Sequence, residues 1–380
     1  MNPFPRKDFH DLLIGAHEAP AELGRVPDFA FSPLNRSGEL YTPIIDKAWH
    51  KEHRGPVWPE GKTFAVCLTH DVDAVSETNV RQNLHSIMHQ ISTRADHDLG
   101  ETLKWLLIHN LRLLKGLIGK EDSLCKFEDW MRIEEKVGAR STFFFAPDSV
   151  QRKHPSDCQY RYDQKIPYEG KFRLLSDLML EMDQGGWEVG LHPSWHSHAD
   201  LDEMKRQKAQ LESVLDHDIK SVRQHFLKYD PWMTPQIHEQ AGFLYDSTLG
   251  FNDNIGFRRG TSFPFQGYDM QSKSELKLLE IPLAMQDGAL LLGEKGLRLD
   301  PKTALTYLRE LMKTVKAVGG VLNLSWHPHT RHYPGFWELY EQTLNMLAEE
   351  DPYFGTLSQI GEWWQNSVDI NLIEFTRGLS

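Results

Sequence analysis

Cysteine is scarce in this chain of 380 residues. The three present, Cys67, Cys125 and Cys158, are scattered and odd in number, so neither a disulfide framework nor a paired-cysteine zinc site is implied. Cys67 sits inside an apolar run and reads as a small core residue. Positive charge is also in deficit. The formal net charge of −12 argues against nucleic acid as a partner, because phosphate binding needs a local excess of Lys and Arg. Long apolar runs are missing too. The opening residues, Met1-Asn2-Pro3-Phe4-Pro5-Arg6-Lys7, lead into no apolar stretch of signal-peptide length, which makes a cytoplasmic location the expectation. Residues 103–118 are rich in Leu and Ile but are interrupted by Lys104, His109, Asn110, Arg112 and Lys115. A span needs about 20 apolar residues, and Arg112 with Lys115 costs about 5–7 kcal/mol at mid-bilayer. The segment reads as an amphipathic helix packed on the protein body or on a second subunit, with peripheral contact to a membrane surface as the alternative. No internal repeat and no low-complexity tract is visible.

What is present is enough for a large core. Hydrophobic residues make up 40% and charged residues 25%, which excludes wholesale disorder. Residues 1–60 are Pro-rich and polar without a sustained period, and read as an N-terminal extension that wraps the domain or leads into it. From residue 64 onward, strand-like and helix-like segments alternate. Strands are expected at 64–69, 141–146, 187–191, 221–226, 243–246, 277–284 and 320–326, several of them continuous apolar runs suited to cover on both faces. Helices are expected at 124–137, 171–184, 200–215, 301–318, 335–349 and 357–366. Asp200 is a capping residue with Glu203 three positions on, and Pro301 and Gly319-Gly320 bracket the longest helix. Alternation of this kind means parallel strands with helical crossovers, and seven strands suit a barrel-like closure at least as well as an open sheet. The roughly seventy residues between the first two strands exceed what one crossover needs. About 76–123 is therefore expected to be a helical insertion, within a catalytic domain at 61–366 followed by a tail at 367–380.

Chemistry gathers where the strands end. Thr69-His70-Asp71-Val72-Asp73 closes the first strand with two carboxylates one residue apart. Burying unpaired charge is costly, and α/β folds bind ligands beyond the carboxyl ends of their strands. Alone, the pair reads equally well as a cap and a solvated Asp. It is joined by His192-Pro193-Ser194-Trp195-His196 at the end of the 187–191 strand. Histidines at i and i+4 fall on one face of a helical turn, and one carboxylate with two imidazoles makes a facial metal site with open positions. Arg223-Gln224-His225-Phe226, Asp246-Ser247-Thr248 and Ser325-Trp326-His327-Pro328-His329 close three further strands. So many ionisable residues on one rim are hard to attribute to core packing. Asp246 reads equally as a support or as a turn residue. Arg258, in Gly256-Phe257-Arg258-Arg259-Gly260-Thr261, is a candidate for contact with an anionic substrate group.

This order resembles the polysaccharide deacetylase family (NodB-homology domain, carbohydrate esterase family 4) over about 61–366. Asp71-Val72-Asp73 is similar to an Asp-x-Asp variant of its first motif, and His192 to His196 to its second. Gly186-Trp187-Glu188-Val189-Gly190-Leu191-His192 and Ser141-Thr142-Phe143-Phe144-Phe145 are similar to the flanking family sequences. Arg223-Gln224-His225-Phe226 keeps only the arginine of the third motif, and the last motif ends at His327 with Ser325 in place of leucine. The resemblance implies a distorted (β/α)7-type barrel that binds one divalent metal ion, with zinc the first expectation. Asp73, His192 and His196 would hold the cation. Asp71 would be the general base, paired with Arg223. The backbone N–H of Phe226 would help an oxyanion, and His327 would protonate the departing amine, with His329 as its alternative. The implied reaction is removal of an N-acetyl group from an amino sugar or glycan precursor, releasing acetate. A related amidohydrolase acting on a small non-sugar amide would use the same groups. A carbohydrate-binding protein that kept the fold without turnover is the third alternative, and the set of two aspartates, spaced histidines and arginine speaks against it.

Overall fold

The first strand illustrates how the sequence partitions the fold. In Ala65–Val72 every residue is buried, and alternate side chains enter two different cores. Phe64, Val66, Leu68 and Val72 face a layer of helices, while Ala65 and Cys67 face the opposite side. The neighbouring strand repeats the division, with Phe143 and Phe145 in the first core and Phe144 in the second. A continuous apolar run is thus the signature of a strand covered on both faces.

The computed structural model describes residues 3–18, 32–76, 124–148, 153–292 and 296–379. Their strands are β1 (Ala65–Val72), β2 (Thr142–Phe145), β3 (Lys165–Tyr168), β4 (Lys171–Leu174), β5 (Glu188–Leu191), β6 (Ser221–Val222), β7 (Tyr245–Asp246), β8 (Phe265–Asp269), β9 (Ser274–Glu280), β10 (Met285–Gln286), β11 (Val321–Ser325) and β12 (Tyr353–Phe354). The main sheet runs β10-β11-β1-β2-β5-β6-β7-β9-β8, and β12 pairs beside β1. All its pairings are parallel except β8 with β9. The result is a mixed α/β fold with a curled, mostly parallel half-barrel sheet, the distorted barrel that the family resemblance implied.

The helices expected from their caps lie close to their places. Pro301–Val318 begins at Asp300, whose carboxylate accepts from the N–H groups of Lys302 and Thr303, and ends at a left-handed Gly319. Leu201–Leu215 begins at Asp200, which accepts from the Glu203 N–H. Phe127–Lys136, Phe336–Glu349 and Leu357–Ser367 complete this set. The helix expected over 171–184 is shorter, Leu175–Gln184, because residues 171–174 pair antiparallel with β3 across a turn at Glu169-Gly170, both left-handed. The strand expected over 221–226 stops at Val222, since Phe226 and Leu227 adopt left-handed conformations that break the extended run. The strand expected over 277–284 is Ser274–Glu280, with a separate short β10 after it.

The N-terminal extension supplies Phe9, Leu12, Leu13, Leu34, Ile44 and Ile45 to the core that Ala65, Cys67 and Phe144 enter. The C-terminal Leu372–Arg377 helix adds Leu372 and Ile373 to the same core. The insertion expected at about 76–123, with its amphipathic segment at 103–118, lies outside the described residues apart from Ser76. Among the described residues no helix is long and apolar enough to cross a membrane.

Candidate active site

Strand pleat explains why Asp71 and Asp73 work as a pair. Residues two apart share a face, so both carboxylates follow Ala65, Cys67 and Thr69 inward while Val72 anchors the turn in the helix-facing core. Parallel registration then brings partners from neighbouring strand ends. Leu191 is opposite Val222, and the Arg223 N–H donates to the Leu191 carbonyl, so residues 192 and 223–225 leave the sheet side by side.

Asp73, His192 and His225 converge, with one potential ligand atom from each within 4.8 Å of the others. The His192 Nδ1–H donates to the Arg223 carbonyl at 2.7 Å, and the His225 Nε2–H donates to the Ser156 carbonyl at 2.7 Å. A carbonyl can only accept, so these bonds fix both tautomers and leave lone pairs on His192 Nε2 and His225 Nδ1. Those two nitrogens face each other at 2.9 Å, and each is 3.4 Å from Asp73 Oδ1. Three electron-rich atoms aimed at one point repel unless a cation sits among them. Burial lowers the His225 pKa, which works against a proton filling that place. The donor set, two neutral imidazoles oriented by carbonyls and one carboxylate, therefore fits a divalent metal ion.

His196, expected in this set, is not in it. The i, i+4 argument needs a helical turn, but the chain after β5 is extended and then turns, and the short 3-10 helix begins only at Ser197. His196 is left exposed, with its ring edge against His154. The place is taken by His225 from the adjacent strand end. Strand adjacency was the signal available for it, and His192 with His225 is a pairing no linear spacing displays.

Asp71 is almost fully enclosed, and Arg223 Nη1 donates to its Oδ1 at 3.0 Å. Arg223 is held in turn by the Ser247 carbonyl (3.0 Å), Thr69 Oγ1 (2.6 Å) and the Phe144 ring, 4.6 Å below the guanidinium. Gly190 makes room for that ring, since a Cβ there would lie 2.7 Å from Phe144 Cδ1. Burial alone would raise the Asp71 pKa, but Arg223, His192 and His327 outweigh it and hold the carboxylate below its ordinary value. For Asp73, likewise, burial is outweighed by His225, His192 and His327, and its pKa lies well below the usual range.

His327 is brought to both aspartates from the end of β11. Its Nε2 lies 3.9 Å from Asp71 Oδ2 and 3.7 Å from Asp73 Oδ2. Its Nδ1 bonds to Asp287 Oδ1 at 2.5 Å, and its backbone N–H donates to the other oxygen of Asp287. Asp287 is also fixed by Thr330 Oγ1 at 2.7 Å. Burial works against the His327 charge, yet Asp287, with Asp73 and Asp71 behind it, raises its pKa to about 10. Asp287, at the end of β10, escaped the reading of the sequence because β10 is too short to show as a strand. His329 lies beside His327 with ring centroids 5.6 Å apart, and burial lowers its pKa.

The remaining candidates divide. Phe226 is at the site, left-handed at φ 57°, its ring against that of His225 at 4.5 Å. Asp246 is buried and acts one step back. It binds the Thr248 N–H and the His238 ring, and Thr248 Oγ1 in turn accepts from the Gln224 N–H. Arg258 is buried and turned to the N-terminal extension, with Nε and Nη2 on the Glu18 carboxylate and Nη1 on the Gly250 carbonyl. Arg258 is thus engaged by Glu18 from within the chain and is not turned toward the donor set. A small cleft adjoins His192 and His225, lined also by Ala146, Asp148, Cys158 and Gln207.

No protein-family model matches this sequence, and no curated protein is significantly similar to it. Solved structures do match. A Mycobacterium smegmatis protein assigned as a polysaccharide deacetylase superposes with a TM-score of 0.54 at 20% identity, covering 84% of this chain and 96% of its own. A Pseudomonas aeruginosa protein, also assigned as a polysaccharide deacetylase, gives 0.53 at 13% identity over 85% of this chain and 98% of its own. The allantoinase PuuE gives 0.53 at 13% identity, covering 85% and 97%. The chain therefore has the NodB-like fold of polysaccharide deacetylases, a fold that an allantoinase shares.

Proposed function

We propose that this protein is a metal-dependent hydrolase that removes an N-acetyl group from an amino sugar or glycan precursor, releasing acetate. The observation that carries the reading is the juxtaposition of two opposed titratable groups over one cation-shaped donor set. Asp71 is held ionised by Arg223, and His327 is held protonated by Asp287, both within 4 Å of one another beside Asp73, His192 and His225. Environments that push two pKa values apart define a base and an acid.

A divalent cation held by Asp73, His192 and His225, zinc first, would supply Lewis-acid polarisation of a carbonyl and acidify water. Asp71 takes the proton of the attacking water, and Arg223 keeps its carboxylate charged and oriented. His327 Nε2–H delivers a proton to the departing amine nitrogen, while Asp287 fixes the ring by its Nδ1–H. The Phe226 N–H, on a strained turn beside His225, serves the developing oxyanion. Asp246 supports the site through Thr248 and Gln224. A small non-sugar amide is the second reading, favoured by the fold shared with an allantoinase, and it uses the same base and acid.

Two measurements test this. Purified protein should hold about one divalent ion per chain, and His225→Ala should lose it while His196→Ala keeps it. Acetate release should be found across a panel of N-acetylhexosamines and their conjugates. Tight metal binding in His225→Ala would remove the ligand set, and amide hydrolysis confined to small non-sugar amides would favour the second reading.

A further inference from the structure

Three residues past His225 lies a cation with no anion among the described residues. Lys228 is 8% exposed, and neither an ion pair nor a side-chain hydrogen bond engages its ammonium among the described residues. Its ammonium lies over the face of Trp195, Nζ 4.4 Å from the ring centroid, and its charge acts on the His198 imidazole, which cannot serve it as an anion. A ring face satisfies one side of an ammonium and leaves N–H donors over. Buried lysines are ordinarily paired, and the chain carries 54 acidic residues against 42 basic ones, so an unpaired one is out of keeping with the rest of the molecule. Burial, with no anion to offset it, pulls the Lys228 pKa below the usual lysine value. The carboxylate nearest in sequence, Asp230, is occupied by the Trp232 N–H at 2.9 Å.

The position is as telling as the missing partner. Lys228 follows His225 by three residues, and its N–H donates to the His225 carbonyl. From the donor set outward, the His225 ring contacts Phe226 at 4.5 Å, Phe226 contacts Trp195 edge-on at 5.4 Å, and Trp195 carries Lys228 on its face. Trp195 is covered by His154, stacked on it at 4.6 Å, and by Lys228, while Phe226 is 42% exposed and open to a ligand. It is an aromatic path from the candidate reaction centre to a buried positive charge.

We propose that Lys228 is a specificity-determining residue that binds an anionic group of the substrate, a carboxylate or a phosphate, on a ring lying along Phe226. The proposal deepens the hydrolase reading and rests on it for its kinetic test, though not for its binding test. In the binding test, inorganic phosphate is titrated against the full chain, wild type, Lys228→Met, Lys228→Gln and Lys228→Arg, with melting temperature as a check on folding. Phosphate affinity should fall about tenfold or more in the two neutral variants, the scale of losing a charge-assisted bond, and recover in Lys228→Arg. Phosphate held by a metal is common to all four proteins, so the difference isolates Lys228. In the kinetic test, kcat/KM is compared for an N-acetylhexosamine, its phosphate monoester and the corresponding N-acetylated uronic acid. The preference for one anionic substrate over the neutral sugar should fall about tenfold in Lys228→Met, and which anion is preferred identifies the group. Absent phosphate binding in the wild type, or equal affinity in a folded Lys228→Met, overturns the proposal. If no acetate is released from any of the three, the deacetylase reading fails while the phosphate comparison still decides Lys228.

Discussion

At the scale of single residues, the site depends on charges that hold one another. Asp71 and His327 reach opposite protonation states because each has a dedicated partner, Arg223 for the first and Asp287 for the second. Asp287 matters whether or not a cation neutralises Asp73, because it meets His327 at Nδ1, away from the donor set. Replacing Asp287 with Asn should let the His327 pKa fall from about 10 toward its ordinary value, since burial is then opposed only by Asp73 and Asp71. A raised histidine pKa keeps the proton at neutral pH and loses it only on the alkaline side. The alkaline limb of the kcat/KM profile should therefore move down toward neutral pH in Asp287→Asn, with the activity at pH 8 reduced by more than about tenfold. Measuring that profile for wild type and variant checks the assignment, and an unmoved alkaline limb would assign the acid to another group. Arg223→Met should be more damaging. It leaves Asp71 buried without its cation, a loss of about 3–5 kcal/mol in unfolding free energy measured by denaturant titration.

At the scale of elements, strand ends and their neighbours decide the site, and this also sets what the sequence could disclose. Asp71, Asp73, His192 and Arg223 were legible because each closes a strand long or apolar enough to be seen, or sits in a motif with flanking sequence. His327 was legible because β11 is a Gly-led apolar run. His225 stood in view at the same strand end as Arg223 but was given no ligand role, because the ligand geometry arises from lateral adjacency, and Asp287 was not in view, since β10 is two residues long. His196 misled because i, i+4 spacing carries meaning only inside a helix. The crossover helices were readable from caps and periodicity, whereas the β3–β4 hairpin was hidden by residues, Phe172 and Leu174, that continue a helical pattern. The same lateral logic makes a prediction at Gly190. On β5 it faces Phe144 of β2, whose ring carries Arg223, so Gly190→Val should drive Cβ into that ring and shift the guanidinium. Overpacking of this kind costs about 1–3 kcal/mol. Thermal unfolding should show that loss, and activity should fall with the fold still intact.

At the scale of the whole molecule, the N-terminal extension is tied to the barrel by a buried carboxylate. Asp46, on the helix Ile44–Trp49, is fully enclosed and accepts from the Ser262 N–H (2.7 Å), Ser262 Oγ (2.6 Å) and Thr261 Oγ1. Among the described residues no cation pairs with it, and burial raises its pKa to about 7 in spite of those three bonds. In the unfolded chain the same carboxyl titrates near 3.8. Between those values the folded protein holds a proton that the unfolded chain has released, so stability must fall as pH rises. The contribution is fully present below about pH 4 and is lost progressively as pH climbs through about 7, at about 1.4 kcal/mol per unit. Other groups oppose this slope, Asp71, Asp73 and Asp287 among them, since their lowered pKa values favour folding above the acid range. Asp46 is distinguished by place as well as sign. Its release should loosen the contact of the 44–49 helix with Thr261 and Ser262 ahead of the barrel. Amide hydrogen exchange at residues 44–49, compared at pH 5 and pH 8 after correction for intrinsic rates, should show weaker protection at the higher pH. Asp46→Asn, which cannot ionise and keeps an acceptor oxygen for Ser262, should flatten that difference. Equal protection at both pH values in the wild type would mean that the three hydrogen bonds offset burial completely and that the carboxylate is held charged.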